Sequence, residues 1–480
     1  MPKLRRRFLL APRLVEVLTV VKLAWLPRPF HVWICVVLMA WSRSALAAET
    51  SITIDHCSVF DPESGQMVPD QTVVIRGNSI ARVADSETIG DLPVDGVRIE
   101  GKGKFLLPGL IDAHVHLVHV LDFAHVTGDE VLPLYLAAGV TSVRSTGDEP
   151  VAATLVARFA AAHPDSSPRV FTCSPLLDAD PPIHRDVGRA ITDPAKVSLL
   201  FDDLTSWNVT TVKIYAGTTR PVGRAIIEEG HRRGLFVTAH LGAYSAQDAV
   251  SDGVDGLEHI WSVFNYIIPA DIAAKPGHRS TLDLDNPVSE ALIAELAKQQ
   301  TYVDPTLVVF RNMILLPDVP DIRDHPDNGL SPHRLRRFWP RYLAQTGCPQ
   351  GGPLENRQRE FAKFQELTGK LFRAGVPLLV GTDSPEPQVT PGFSLHQELE
   401  LMVESGLPPA AALRAATLTN ATVLGQKERL GTVTEGKLAD LILLTANPLD
   451  DIRHSRQIEW VIRGGQLCQP AKLLEQVPRN

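Results

Sequence analysis

A chain of 480 residues, 44% hydrophobic and 21% charged, has the make-up of an ordinary globular enzyme, long enough for one large barrel and a smaller domain. Its formal net charge of -8 argues against nucleic acid as a partner, because a phosphate footprint needs clustered Lys and Arg. No such cluster follows the first few residues.

Residues 1–47 read as an export signal. Arg5, Arg6 and Arg7 give a positive start, and an apolar run F-H-V-W-I-C-V-V-L-M-A-W lies between Pro29 and Ser42. Ala45-Leu46-Ala47 supplies small residues for cleavage, leaving Ala48 as the mature start. The run is short for a span, which needs about 20 apolar residues. The expected location is therefore exported, periplasmic or secreted, and the alternative is an uncleaved anchor holding the chain to a membrane. The mature chain keeps Cys57, Cys173, Cys348 and Cys468 with no C-x-x-C. Cys57 and Cys468 fall in the two terminal β segments, where pairing in an oxidising compartment and two free thiols are both open readings.

Next come short strands. Between Ser51 and Phe105, Q-T-V-V-I-R-G-N-S-I-A-R-V alternates around a Gly77-Asn78 hairpin turn. The last block answers it with A-D-L-I-L-L and E-W-V-I-R-G-G-Q-L, which carries a second Gly turn. The expectation is one small β-sandwich domain built from both ends, residues 48–107 and 427–480.

Residues 108–426 alternate apolar runs with helical stretches, as a parallel sheet requires. Strands are expected at Gly109–Ala113, Val140–Arg144, Arg169–Thr172, Thr211–Tyr215, Phe236–Ala239, Gly256–Glu258, Tyr302–Pro305 and Pro377–Gly381. Helical spacing marks segments such as Val151–Ala162 and Pro221–Arg233. Eight strands with helices between them imply an α/β fold, a (β/α)8 TIM barrel. A doubly wound sheet is the other architecture, but no G-x-G-x-x-G follows the first strand. Residues 311–358 break the rhythm and read as an insertion over the C-terminal mouth, a lid or a plain surface loop.

The chemistry gathers at the strand ends. His114 and His116 in D-A-H-V-H-L alternate on an extended strand end and so project to one side, where they can chelate an ion. His240 ends L-F-V-T-A-H, His259 ends V-D-G-L-E-H, and Asp383 ends V-P-L-L-V-G-T-D. Each is a metal-capable side chain where barrel enzymes keep their catalytic groups. Lys213 in T-V-K-I-Y-A is the sixth. An ammonium among cation-binding histidines would repel the metals, whereas a neutral amine can capture carbon dioxide as an anionic carbamate bridging two ions. Such a ligand set suits Zn, Mn, Co or Fe, and the residues alone do not choose among them. Paired carboxylates, the mark of a glycosidase barrel, do not dominate.

On these motifs the chain resembles the amidohydrolase superfamily, in its imidazolonepropionase-like and Xaa-Pro-dipeptidase-like branch of metal-dependent amidases. The likeness runs from about Ile52 to the C-terminus and includes L-H-Q-E-L-E-L-M-V-E-S-G-L-P-P-A-A-A-L-R-A-A-T and G-K-L-A-D-L-I-L-L. It implies that His114, His116 and Asp383 hold the more buried of two divalent metals, that His240 and His259 hold the other, and that carbamylated Lys213 bridges them. It implies a hydroxide shared by the metals as nucleophile and Asp383 as base, then acid. Tyr215 resembles a carbonyl-side tyrosine that donates to the oxyanion. His396 and Arg144 are candidate substrate contacts, each with a structural reading beside it. The second strand reads S-V-R-S-T-G where relatives often have Asp after the Arg, which leaves substrate preference open.

The implied activity is hydrolysis of an amide or peptide-like C–N bond in a dipeptide or N-acyl amino acid, with no nucleic acid involved. The alternatives are a cyclic amide, lactone or ester hydrolase, and a metal-free binding protein on the same fold. Relatives are often oligomeric, so a homo-oligomer is expected by analogy.

Overall fold

Long alternating runs at the start of the described residues zip into antiparallel strands. In this computed structural model, which describes residues 51–90, 96–273, 277–316, 318–346 and 352–478, β1 (Ser51–Asp61) pairs with β2 (Gln66–Arg76) and β2 with β3 (Ser79–Asp85). The export segment expected at 1–47 lies outside the described residues, as does Cys348. No described helix is long and apolar enough to cross a membrane.

β4 (Val97–Glu100) and β5 (Phe105–Pro108) both run parallel to β1, against its two halves. The barrel follows: β6 (Leu110–Val115), β7 (Val140–Ser145), β8 (Arg169–Asp178), a short side strand β9 (Gly188–Ala190), then β10 (Thr211–Ile214), β11 (Phe236–Ala239), β12 (Gly256–Glu258) and β13 (Tyr302–Asp304). Every neighbouring pair is parallel. Intervening helices begin where the sequence punctuates them. Pro150 opens Pro150–Ala162 with Glu149 accepting from the Ala152 amide at 2.8 Å, and Asn286 caps Pro287–Gln299 through the Val288 and Ser289 amides.

The chain returns to the first sheet through β14 (Leu441–Leu444), β15 (Ile458–Arg463) and β16 (Gln466–Cys468), giving the order β16-β15-β14-β5-β1-β2-β3. Ile80 exchanges backbone bonds with Lys437 and Gly436 at 2.8 and 2.9 Å, so the sheet curls back on itself around Ile54, Val73, Ile75, Leu441, Leu443 and Ile462. The two glycine turns meet there: a Cβ on Gly465 (φ 74°) would lie 1.8 Å from the Gly77 carbonyl oxygen. Cys57 and Cys468 are both free; they sit in β1 and β16, with β5, β14 and β15 between them, which rules out the pairing.

Two expectations need correction. Pro377–Gly381 is not a regular strand. It closes the barrel by two bonds to β13, Val303 N to Pro377 O at 3.0 Å and Leu379 N to Val303 O at 2.9 Å, and by Ala113 N to Val380 O at 2.9 Å on the β6 side. Gly381 explains the irregular path, since a Cβ there would lie 2.2 Å from Asp304 Oδ2 and 2.5 Å from His114 Cβ. The Asn420 side chain fills the resulting gap, donating to Ile111 O at 2.7 Å and Val380 O at 2.8 Å.

Residues 311–358 are mostly helical rather than loop-like: Leu307–Leu315, Pro320–Arg323, His333–Thr346 and the start of Leu354–Arg373. Their Arg-rich outer faces hid the pattern; Leu335 and Trp339 point inward and are buried. Trp339 donates its indole N–H to Pro385 O at 2.9 Å, tying this layer to the loop after the eighth segment.

Candidate active site

His114 lies at the end of β6 with its ring wholly buried. Its Nδ1 meets Glu258 Oε2 at 2.8 Å, which leaves Nε2 facing Lys213 Nζ at 3.1 Å and Asp383 Oδ1 at 3.4 Å. His116, two residues on, places Nε2 3.1 Å from the same Asp383 oxygen. The His259 ring lies 4.7 Å from His114 and 4.5 Å from His240, while its Nδ1 is paired with Thr306 Oγ1 at 2.8 Å. The six residues singled out as metal-capable thus converge from the tips of β6, β10, β11 and β12 and from the eighth segment.

A cavity of about 420 Å³ opens above them, with His116, Lys213, Tyr215, His240, His259 and Asp383 in its wall. The backbone is held in the left-handed region at His259 (φ 67°), Thr306 (φ 45°) and Asp383 (φ 60°), none of them glycine. Strain collected at strand tips around one cavity is typical of a site whose geometry matters more than its local comfort.

The electrostatics fit divalent cations. Burial pushes the His114 imidazole down to about 4 and His259 to about 3, and it drives His240 well below the usual range, so these rings are neutral and free to donate lone pairs. Burial also lowers the Lys213 ammonium, whose nearest polar neighbours are the His114 ring nitrogen and Thr146 O at 3.4 Å. Burial would lift Asp383, but the surrounding His114, His116 and His259 outweigh it and keep the group a carboxylate. His116 differs: the carboxylates of Asp148, 3.7 Å from Nδ1, and Asp383, 3.1 Å from Nε2, override burial and raise it to about 9, a proton that a cation would displace. His114, His259 and Asp383 offer donor atoms all within 4.8 Å of one another, the spread a shared ion needs. Glu258, Asp304 and His114 form a second such group, but Glu258 is already used by His114, by Arg144 at 2.6 Å and by Thr238 at 2.8 Å. Its role is to hold the His114 ring.

Tyr215 lines the cavity, with its ring 4.9 Å from His240. Arg144 and His396 do not reach it. The Arg144 guanidinium is fully buried inside the barrel, bonded to Ala113 O at 2.5 Å and Glu258. Both His396 nitrogens are taken, by Ser455 Oγ at 2.8 Å and Ala138 O at 3.0 Å, so this ring joins helix Ser394–Glu404 to its neighbours instead of touching substrate.

Several cavity residues escaped sequence reasoning: His119, His184, Trp261, Arg279, Phe310, Tyr342 and Glu386. The third histidine of H-V-H-L-V-H was a visible signal; the others sit on loops and helices whose positions only the fold supplies.

Residues 105–468 match the family model described as the amidohydrolase family. Ochratoxinase from Aspergillus niger is 36% identical over 122 residues, 23% of this chain and 24% of that protein. Imidazolonepropionase from Geobacillus kaustophilus is 32% identical over 102 residues, 20% and 24% of the two chains. These alignments span about a quarter of the curated relatives. Among solved structures, a Bifidobacterium longum protein assigned as a prolidase superposes with a TM-score of 0.66 at 25% identity, covering 90% of this chain and 99% of that one. With the family model spanning most of its length, this chain belongs to the amidohydrolase family.

Proposed function

We propose that this protein is a metal-dependent hydrolase of amide or peptide-like C–N bonds, with a dipeptide or N-acyl amino acid as substrate. The observation that carries the reading is the convergence of four neutral or displaceable imidazoles, a carboxylate and a buried lysine on one cavity. His114, His116 and Asp383 would hold one divalent ion, expected to be Zn, and His240 and His259 a second. Lys213 would bridge them after its neutral amine adds to carbon dioxide, forming an N–C bond and releasing one proton. A bound pair of such cations supplies Lewis acidity toward a carbonyl and lowers the pKa of water to about 7.

The residues of the chain do the rest. The Asp383 carboxylate takes a proton from the attacking water and returns it to the departing nitrogen. Burial raises the Tyr215 phenol above its ordinary value, so its O–H stays available to donate to a developing oxyanion. The apolar lid side chains keep bulk water from the reacting carbonyl. The prolidase-like neighbour and the A. niger relative support amide-type substrates. The N-terminal pattern supports an exported location.

The test is turnover of a panel of dipeptides and N-acyl amino acids by purified protein reconstituted with Zn, Mn or Co. Metal-dependent release of a free amine from one class is expected. A fully metallated protein that cleaves none of them would overturn the reading.

A further inference from the structure

Away from the active site, the helix Pro150–Ala162 turns a row of apolar side chains to the outside. Val151, Leu155 and Phe159 recur at four-residue spacing and are 45%, 59% and 38% exposed. An outer barrel helix is ordinarily polar on its solvent face, yet here the one charged residue is Arg158. An exposed apolar row of this kind marks a surface that another molecule covers.

A groove of about 360 Å³ runs beside the row. Leu117, Val118 and Val156 give it an apolar lining. Leu155 and Phe159 form the edge on the helix side, and Asp122 and Asp129 belong to the opposite edge, supplied by residues 117–129. Helical geometry puts Val156 on the groove side of Leu155 and Arg158 on its other flank. Arg158, Asp122 and Asp129 make no side-chain hydrogen bond or ion pair among the described residues.

These features are complementary to one another but cannot meet within one chain, because the row stands between Arg158 and the groove. They meet across a two-fold axis. An axis that seats the row of one copy in the groove of a second carries Arg158 over to the second copy's acidic edge, and symmetry returns the same contact. Shape and charge are thus satisfied together, whereas an anionic lipid surface would meet Asp122 and Asp129 with repulsion.

We propose that the Val151–Leu155–Phe159 row and the groove beside it form a two-fold interface with a second copy of this chain, registered by Arg158 against Asp122 and Asp129. The apolar row supplies the affinity and the charges fix the partner and the register. The interface stands independently of the hydrolase reading.

The experiment is sedimentation of the full chain over a range of concentrations. An assembly with an even number of chains is expected, and Leu155→Glu should split it, weakening the pairing by about tenfold to a hundredfold with an unchanged circular dichroism spectrum. Arg158→Glu alone, and Asp122→Lys with Asp129→Lys alone, should each dissociate it as well. Mixing these two variants should restore pairing, because every contact in the mixed dimer then joins opposite charges. An assembly that survives Leu155→Glu would overturn the proposal, as would variants that dissociate but do not pair on mixing. A monomer at every concentration would also overturn it. In that case, Leu155-dependent binding to neutral phosphatidylcholine vesicles would assign the row to a bilayer instead.

Discussion

His114 depends on groups that never touch the cavity. Glu258 fixes its ring through Nδ1 and is itself held by Arg144 and Thr238, so three buried residues set the direction of one ligand nitrogen. Outer partners of this kind typically govern metal affinity by 10–100-fold. Glu258→Gln is therefore expected to weaken divalent metal binding by roughly that factor in competition titrations, and unchanged affinity would show that the ring needs no anchor. Asp383→Asn should lower kcat by about 10²–10⁴-fold while thermal unfolding stays near normal, because a proton carrier is lost and the carboxamide keeps the shape. His396 gives a pH prediction. One of its nitrogens must donate to Ala138 O while the other accepts from Ser455, which only a neutral ring can do, and burial lowers it to about 3. The unfolded ring binds its proton near pH 6.5, so the folded state holds fewer protons between about 6.5 and 3, and stability falls as pH drops through that window. Chemical denaturation across it should show His396→Gln losing less stability on acidification than the unmodified chain, by up to about 1.4 kcal/mol per pH unit. The six metal-capable residues were legible because chemistry at a strand tip leaves a local signature. Arg144 and His396 could be read either way, because a polar residue near a tip looks the same whether it faces the cavity or the barrel interior.

The eighth segment shows what holds an element that periodicity alone would make a strand. A π-helical turn at Ala415–Thr419 precedes Asn420, whose amide reaches between β6 and residue Val380. Asn420→Ala would remove the side-chain donors to Ile111 O and Val380 O, the latter still bonded by Ala113 N, at a cost of about 1–3 kcal/mol by equilibrium denaturation. A cost under about 0.5 kcal/mol would mean that the backbone bonds alone close the barrel. The β-hairpins, seven barrel strands and the helices Pro150–Ala162 and Arg220–Arg232 were readable from alternation, Pro-led starts and spacing. The eighth strand was overestimated, because the crowding of Gly381 against Asp304 and His114 arises between elements far apart in sequence. The helices within residues 311–358 were missed because Pro320, Pro340 and an Arg-rich face mask a pattern that packs on only one side.

For the molecule as a whole, the terminal sheet runs directly into the barrel, β5 ending at Pro108 and β6 beginning at Leu110. Four imidazoles, a carboxylate and a lysine packed together gain from a cation that binds only the folded state, which links metal to stability. Chelation should lower the thermal midpoint of the unmodified protein, by the equivalent of about 2.7 kcal/mol when metal had stood at a hundred times its Kd, and should lower that of His240→Ala much less. Equal shifts in both would place the metal elsewhere.

The central claim is a two-ion centre bridged through Lys213, and elemental analysis of the purified, reconstituted protein beside Lys213→Ala tests it most directly. The account predicts about two divalent ions per chain in the unmodified protein, with loss of metal and of turnover in the variant. About one ion per chain, unaffected by Lys213→Ala, or none in a folded protein after reconstitution, would contradict it.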